Sequence, residues 1–212
     1  MRLACLLVLL VSACTTEPAN PASEAHVESV RDRLARGSTR LLLSREDSAG
    51  TITARRKIIG GWQTGLVDLA IDQGALVVSA DPETGGITIE ALSLTLEDIP
   101  IPRDVFDRPA WLSHARAMLA APARVATTWI THDDAHLETE LELTVSWALT
   151  VDGITAELGG PQLPAVRVAI ELGGNGGFVH AHVKAGALGE LWSWAGLVKL
   201  EDLNLVLTAD TR

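Results

Sequence analysis

Between residues 137 and 151 the chain alternates apolar and polar side chains with a period of two, a pattern that only an extended strand can use. Leu137, Leu141, Leu143, Val145, Trp147, Leu149 and Val151 share one parity, interrupted only by Thr139. Glu138, Glu140, Glu142, Thr144, Ser146 and Thr150 share the other. At ~3.3 Å per residue the run measures roughly 50 Å, longer than the common strand of about 3–10 residues. It must therefore bend, coil or run along a barrel. One face is apolar and one acidic, the cross-section of a single-layer wall with a greasy inside.

The rest of the chain supplies the partners such a wall needs. Strand patterns recur at residues 39–45, 51–59, 66–72, 75–80, 86–99, 123–132, 154–158, 165–172, 178–185 and 198–209, separated by Gly, Asp and Ser turn residues. Within 86–99 the phase changes: Ile87 and Ile89 lie on one parity, Leu92, Leu94 and Leu96 on the other. A slip inside one strand predicts a bulge near Glu90 and Ala91. Asp152-Gly153 is a tight-turn signal. Residues 173–177, all glycine except Asn175, read as a hairpin loop, and 186–196 as a loop holding Trp192 and Trp194. Two helices are expected. One starts at an N-cap on Ser23, buries Val27, Val30 and Leu34, and stops at Gly37. The other spans about 109–121, with Trp111, Ala115, Met118 and Leu119 on one face. The fold class is mainly antiparallel β, with about eight to ten strands and one or two short helices.

At the N-terminus Met1 and Arg2 precede an apolar run from Leu3 to Val11, then Ser12, Ala13 and Cys14. The run has the charged start and apolar middle of a secretory signal and is too short to span a bilayer as a helix. Its ending resembles the lipobox of bacterial lipoproteins. That resemblance implies removal of residues 1–13, acylation of Cys14, and anchoring in the cell envelope; Thr15, rather than Asp, after the cysteine implies the outer membrane, facing the periplasm. Residues 14–22 read as the lipidated end and a polar, proline-containing tether, and 23–212 as one domain. Cys5 leaves with the leader, so the mature chain has no internal disulfide and its apolar core must stabilise it alone. The net charge of −10, without a clustered basic stripe, argues against nucleic acid as a partner.

The middle of the chain resembles the YceI-like lipid-binding family. The positions that carry the likeness are Arg103-Asp104, Leu112, Met118-Leu119, Pro122, residues 125–128, and the turn Leu149-Thr150-Val151-Asp152-Gly153-Ile154-Thr155. The last strand, about 202–209, is also similar. Residues 157–164 intervene where the family runs directly into its next strand, and the spacing from Asp104 to Leu112 is long. The resemblance implies a lipocalin-like antiparallel barrel or half-barrel that carries a long apolar molecule such as an isoprenoid. A small barrel of about eight strands has room for one small ligand, which agrees with that implication.

Patterns for chemistry are sparse. His132-Asp133-Asp134-Ala135-His136 and His180-x-His182 bring imidazoles and carboxylates close in sequence, a composition that suits zinc or copper. The first reads more simply as a polar turn, the second as the solvent face of a strand. No Gly-x-Ser-x-Gly elbow and no phosphate loop opening a helix is present. The expectation is a non-catalytic lipoprotein without metal or cofactor, binding an apolar ligand inside a barrel lined by Trp129, Leu141, Leu143, Val145, Trp147, Leu149, Val168 and Ile170. The alternative is a structural or adaptor lipoprotein whose core is simply filled.

Overall fold

A computed structural model describes residues 29–158, 162–173 and 178–210. The expected leader and tether, Cys14, the expected cap Ser23 and Val27 lie outside the described residues, as do 174–177 of the glycine-rich run. The elements are α1 (Val30–Arg36), β1 (Thr39–Leu43), β2 (Ala49–Ile58), β3 (Gly61–Ala80), β4 (Ile87–Leu96), β5 (Ile99–Pro100), β6 (Ala110–Leu119), β7 (Ala123–Val125), β8 (Thr127–Trp129), β9 (Ala135–Val151), β10 (Ile154–Leu158), β11 (Gln162–Gly173), β12 (Phe178–Ser193) and β13 (Gly196–Asp210).

The fold is mainly β and antiparallel, as the alternation requires. Eight strands hydrogen-bond in the order β3, β2, β13, β12, β11, β9, β6, β4, and β4 pairs back onto β3 to close a barrel-like ring. Shorter strands complete three of its staves. β1 continues the place of β2 between β3 and β13, β7 and β8 continue that of β6, and β10 pairs with the far end of β9.

β9 runs unbroken, with Leu141, Leu143, Trp147, Leu149 and Val151 buried and Glu138, Glu140 and Glu142 exposed. It turns into β10 through Asp152 (φ 52°) and Gly153 (φ 80°), and positive φ at both central residues matches the right-handed twist of a two-residue hairpin. The phase change in β4 is a bulge: Val77 faces Ala91 and Val78 faces Ile89, leaving Glu90 extra.

Three expectations are corrected by the same device. Residues 66–72 and 75–80 form one strand, β3, not two. Asp72 is the extra residue between the pairs Ile71–Leu96 and Gln73–Thr95, and inward parity passes from Val67, Leu69 and Ile71 to Leu76 and Val78. The helix expected near 109–121 is strand β6. A bulge at His114 (φ 53°) carries the inward side from Ala110 and Leu112 to Ala115, and that three-residue step imitates helical spacing. Trp111 and Met118, expected inside, are exposed. The free edges of β4 and β9 on either side of β6 decide the outcome, since strand preference follows context. Residues 186–196 are not a loop either: β12 runs to Ser193, with Leu188 bulged inward, and only Trp194 and Ala195 turn the chain. The strand expected at 123–132 divides into β7 on β4 and β8 on β9.

The described helix is α1, Val30–Arg36. Ser29 caps it by accepting from the Asp32 N–H at 3.1 Å. Val30 and Leu34 enter the core and close one end of the ring. At the other end the 101–109 segment closes it, with Val105 and Phe106 wholly buried. A Cβ on Gly65 would meet Val105 Cγ2 at 2.6 Å, so this segment seats only on a glycine.

Candidate functional site

The inward parity of the eight strands builds one apolar interior along the ring axis. Packing leaves a void of about 70 Å³ there, bordered by leucines from several strands, by Leu143, Val145 and Trp147 of β9, and by Val166 of β11. A smaller void of about 20 Å³ lies nearer the α1 end and is bordered by Leu141, Val168 and Ile170. Leu92, Val183 and Leu207 border both voids, so the two adjoin.

Six of the eight residues expected to line a pocket therefore touch these voids. Leu149 is buried in the core beside them without bordering either. Trp129 is elsewhere. Its Nε1 donates to the Gly85 carbonyl at 2.8 Å and the Arg31 guanidinium lies 5.8 Å from its ring centroid, at the helix end of the ring. β8 is too short to carry Trp129 across to the interior voids.

Trp147 stands apart from the other lining residues. It is 3% exposed, and its Nε1 meets no acceptor among the described residues. A buried indole N–H normally finds a partner, and leaving one unmet costs about 1–3 kcal/mol. Arg116 also borders the larger void while standing mostly in solvent. Its place follows from the His114 bulge, which spacing alone disguised as a helix.

No protein-family model and no curated protein matches this chain.

Its other polar groups are arranged as surface structure. Among the described residues no three His, Cys, Asp or Glu side chains converge to hold a metal. His136 stands 3.4 Å from Glu138 and 4.0 Å from Glu171, while His180 Nδ1 lies 3.3 Å from the Thr208 hydroxyl. Two carboxyls are held below their usual range. Glu90 accepts from the hydroxyls of Ser38 at 2.5 Å and Ser79 at 2.6 Å, which favours its charged form. Asp81 accepts the backbone N–H groups of Thr84 and Glu83, which caps the β3–β4 turn. Asp81 is exposed and Glu90 half-buried, and neither borders the interior voids.

Proposed function

We propose that the ring interior holds a slender apolar molecule, isoprenoid- or lipid-like, in a non-catalytic envelope lipoprotein. The observation that carries this reading is Trp147, which borders an apolar void and whose buried Nε1–H meets no acceptor among the described residues. A core selected for packing alone gains nothing from that donor, whereas a ligand with one oxygen on an apolar body would satisfy it. The likeness to YceI-like proteins supports the isoprenoid class, and the lipobox-like ending at Cys14 supports anchorage by acyl chains at the outer membrane, facing the periplasm. Each buried methylene of such chains contributes ~0.8 kcal/mol.

Binding sites for small molecules usually measure about 300–1,000 Å³. With about 70 Å³ open, loading requires the leucines around the void to change rotamer and the interior to widen. The smallness of the void favours a second reading, a filled-core adaptor lipoprotein whose surface does the work. Organic extracts of the purified chain carrying Cys14→Ser separate the two. A stoichiometric apolar compound in the mass spectrum, with displacement of a fluorescent fatty probe, is the expected result. Empty extracts and no displacement leave the adaptor.

A further inference from the structure

Ten large apolar side chains are exposed among the described residues, and six of them gather at one end of the ring: Ile58, Ile59, Trp111, Ile154, Trp192 and Trp194. Contacts between turns bring them together. Arg56 Nε donates to the Ala195 carbonyl at 2.8 Å, and a Cβ on Gly196 would lie 3.3 Å from the Lys57 carbonyl oxygen. The β2–β3 and β12–β13 turns are therefore side by side. The Arg108 guanidinium stands 6.0 Å from the Trp194 ring centroid and pairs with Asp152 at 3.1 Å, which adds the β9–β10 turn. Ile154 and Trp111 flank that turn, opposite Val151 and Thr150. The most exposed side chains are Ile59, with no cover at all, and Trp192 at 76%.

Behind these apolar tips lies a girdle of cations. Arg55, Lys57 and Lys199 surround the Trp62 ring at 5.0, 5.1 and 5.6 Å, and Arg56 lies over Phe106. Arg55, Lys199 and Arg108 already pair with Glu201, Glu190 and Asp152. Arg56 and Lys57 pair with no carboxylate among the described residues. The wall of β9 instead shows Glu138, Glu140 and Glu142 to solvent, in a chain of net charge −10. An anionic surface is thus repelled by that wall, whereas at this end Arg56 and Lys57 stand without a paired carboxylate among the described residues.

We propose that this end of the ring docks on a bilayer containing anionic lipid. Ile59, Trp192 and Trp194 enter the headgroup region, and Arg56 and Lys57 take lipid phosphates behind them. Indoles beside cations are the composition of a membrane–water interface. The apolar groups project from separate turns instead of forming a flat face, which suits a fluid interface better than a protein partner. α1 begins at the other end of β9, where the Val30 N–H donates to Asp133 at 2.9 Å, so this contact is distinct from any anchor at Cys14. It is also independent of whether the interior carries a ligand.

The test is flotation of the full chain carrying Cys14→Ser, in every sample, with vesicles of phosphatidylcholine alone or mixed equally with phosphatidylglycerol. Wild-type tips should bind the mixed vesicles more tightly, and high salt should weaken that preference. Ile59→Ser/Trp192→Ser/Trp194→Ser should lose about tenfold or more in affinity. Lys57→Gln should reduce the preference for phosphatidylglycerol. Leu66→Ser/Met118→Ser, which removes exposed apolar groups from the walls, should bind as before. Equal binding by the wild-type and triple-variant tips, with near-ultraviolet dichroism showing both folded, overturns the proposal. So does a wild type that ignores both vesicles, or one whose tips instead mediate self-association in light scattering.

Discussion

Arg56 donates its Nε–H to the carbonyl oxygen of Ala195 at 2.8 Å while its guanidinium lies 5.1 Å from the ring centroid of Phe106. One side chain thereby ties the β12–β13 turn to β2 and covers the plug of the ring. Arg56→Ala should destabilise the fold by about 1–2 kcal/mol, the sum of a charge-assisted hydrogen bond and a partly exposed cation–π contact. Arg56→Lys should recover little, because a compact ammonium cannot stack on Phe106 and reach the carbonyl together. Urea unfolding reports this as a lower midpoint with an unchanged slope.

Trp147 allows cavity formation and donor loss to be separated. Trp147→Ala empties a buried indole site and should cost about 3–5 kcal/mol. Trp147→Phe leaves a smaller hole but removes the unmet N–H, so its stability should lie within about 1 kcal/mol of wild type. If the interior holds an acceptor-bearing ligand, Trp147→Phe should nevertheless lower the amount recovered in organic extracts. Stability and occupancy then move independently, which unfolding and mass spectrometry on the same preparation will show.

How far the fold could be read from residues depends on where parity holds. β9 keeps one parity from Leu137 to Val151, so its faces, its turn at Asp152-Gly153 and its part of the interior were legible. Glu90 was legible as a bulge because isoleucines and leucines mark both phases around it. At His114 the same event was hidden. Small Ala115 and Ala117 mark the inward side after the bulge, whereas the bulky Trp111 and Met118 face out. Apolar size therefore pointed to the wrong face. Trp192 and Trp194 misled in the same way, reading as loop residues when one ends a strand and the other sits in a tight turn. What the sequence alone could not reveal was the convergence of three turns, since their contacts join residues far apart in the chain.

Gly74 marks a close approach between β3 and its neighbours. A Cβ there would sit 2.3 Å from Leu43 Cδ1 and 2.9 Å from the Ser93 carbonyl oxygen, and the second atom belongs to backbone that cannot swing away. Gly74→Ala should therefore cost about 1–3 kcal/mol through overpacking. Gly61→Ala provides the contrast, because nothing lies within 4 Å of the added methyl. It should leave the unfolding midpoint nearly unchanged. Similar losses at both positions would show that the β1–β3–β4 junction relaxes more easily than its packing implies.

Glu90 couples the bulge of β4 to pH. The hydroxyls of Ser38 and Ser79 hold its carboxyl below the usual range, so the unfolded chain takes up the proton first as acid is added. The stabilisation is accordingly complete above the ordinary glutamate pKa and fades as pH falls through the lower folded value. Asp81 has the same sign, its charge favoured by the N–H groups of Thr84 and Glu83. Asp81 is exposed and Glu90 only half-buried at the surface, so each effect is small. Carboxyl titration followed by nuclear magnetic resonance should place Glu90 below an ordinary glutamate. Ser38→Ala/Ser79→Ala should move it back up, while Asp81 stays where it was. A Glu90 titration that ignores the loss of both hydroxyls would mean that neither hydrogen bond persists in solution.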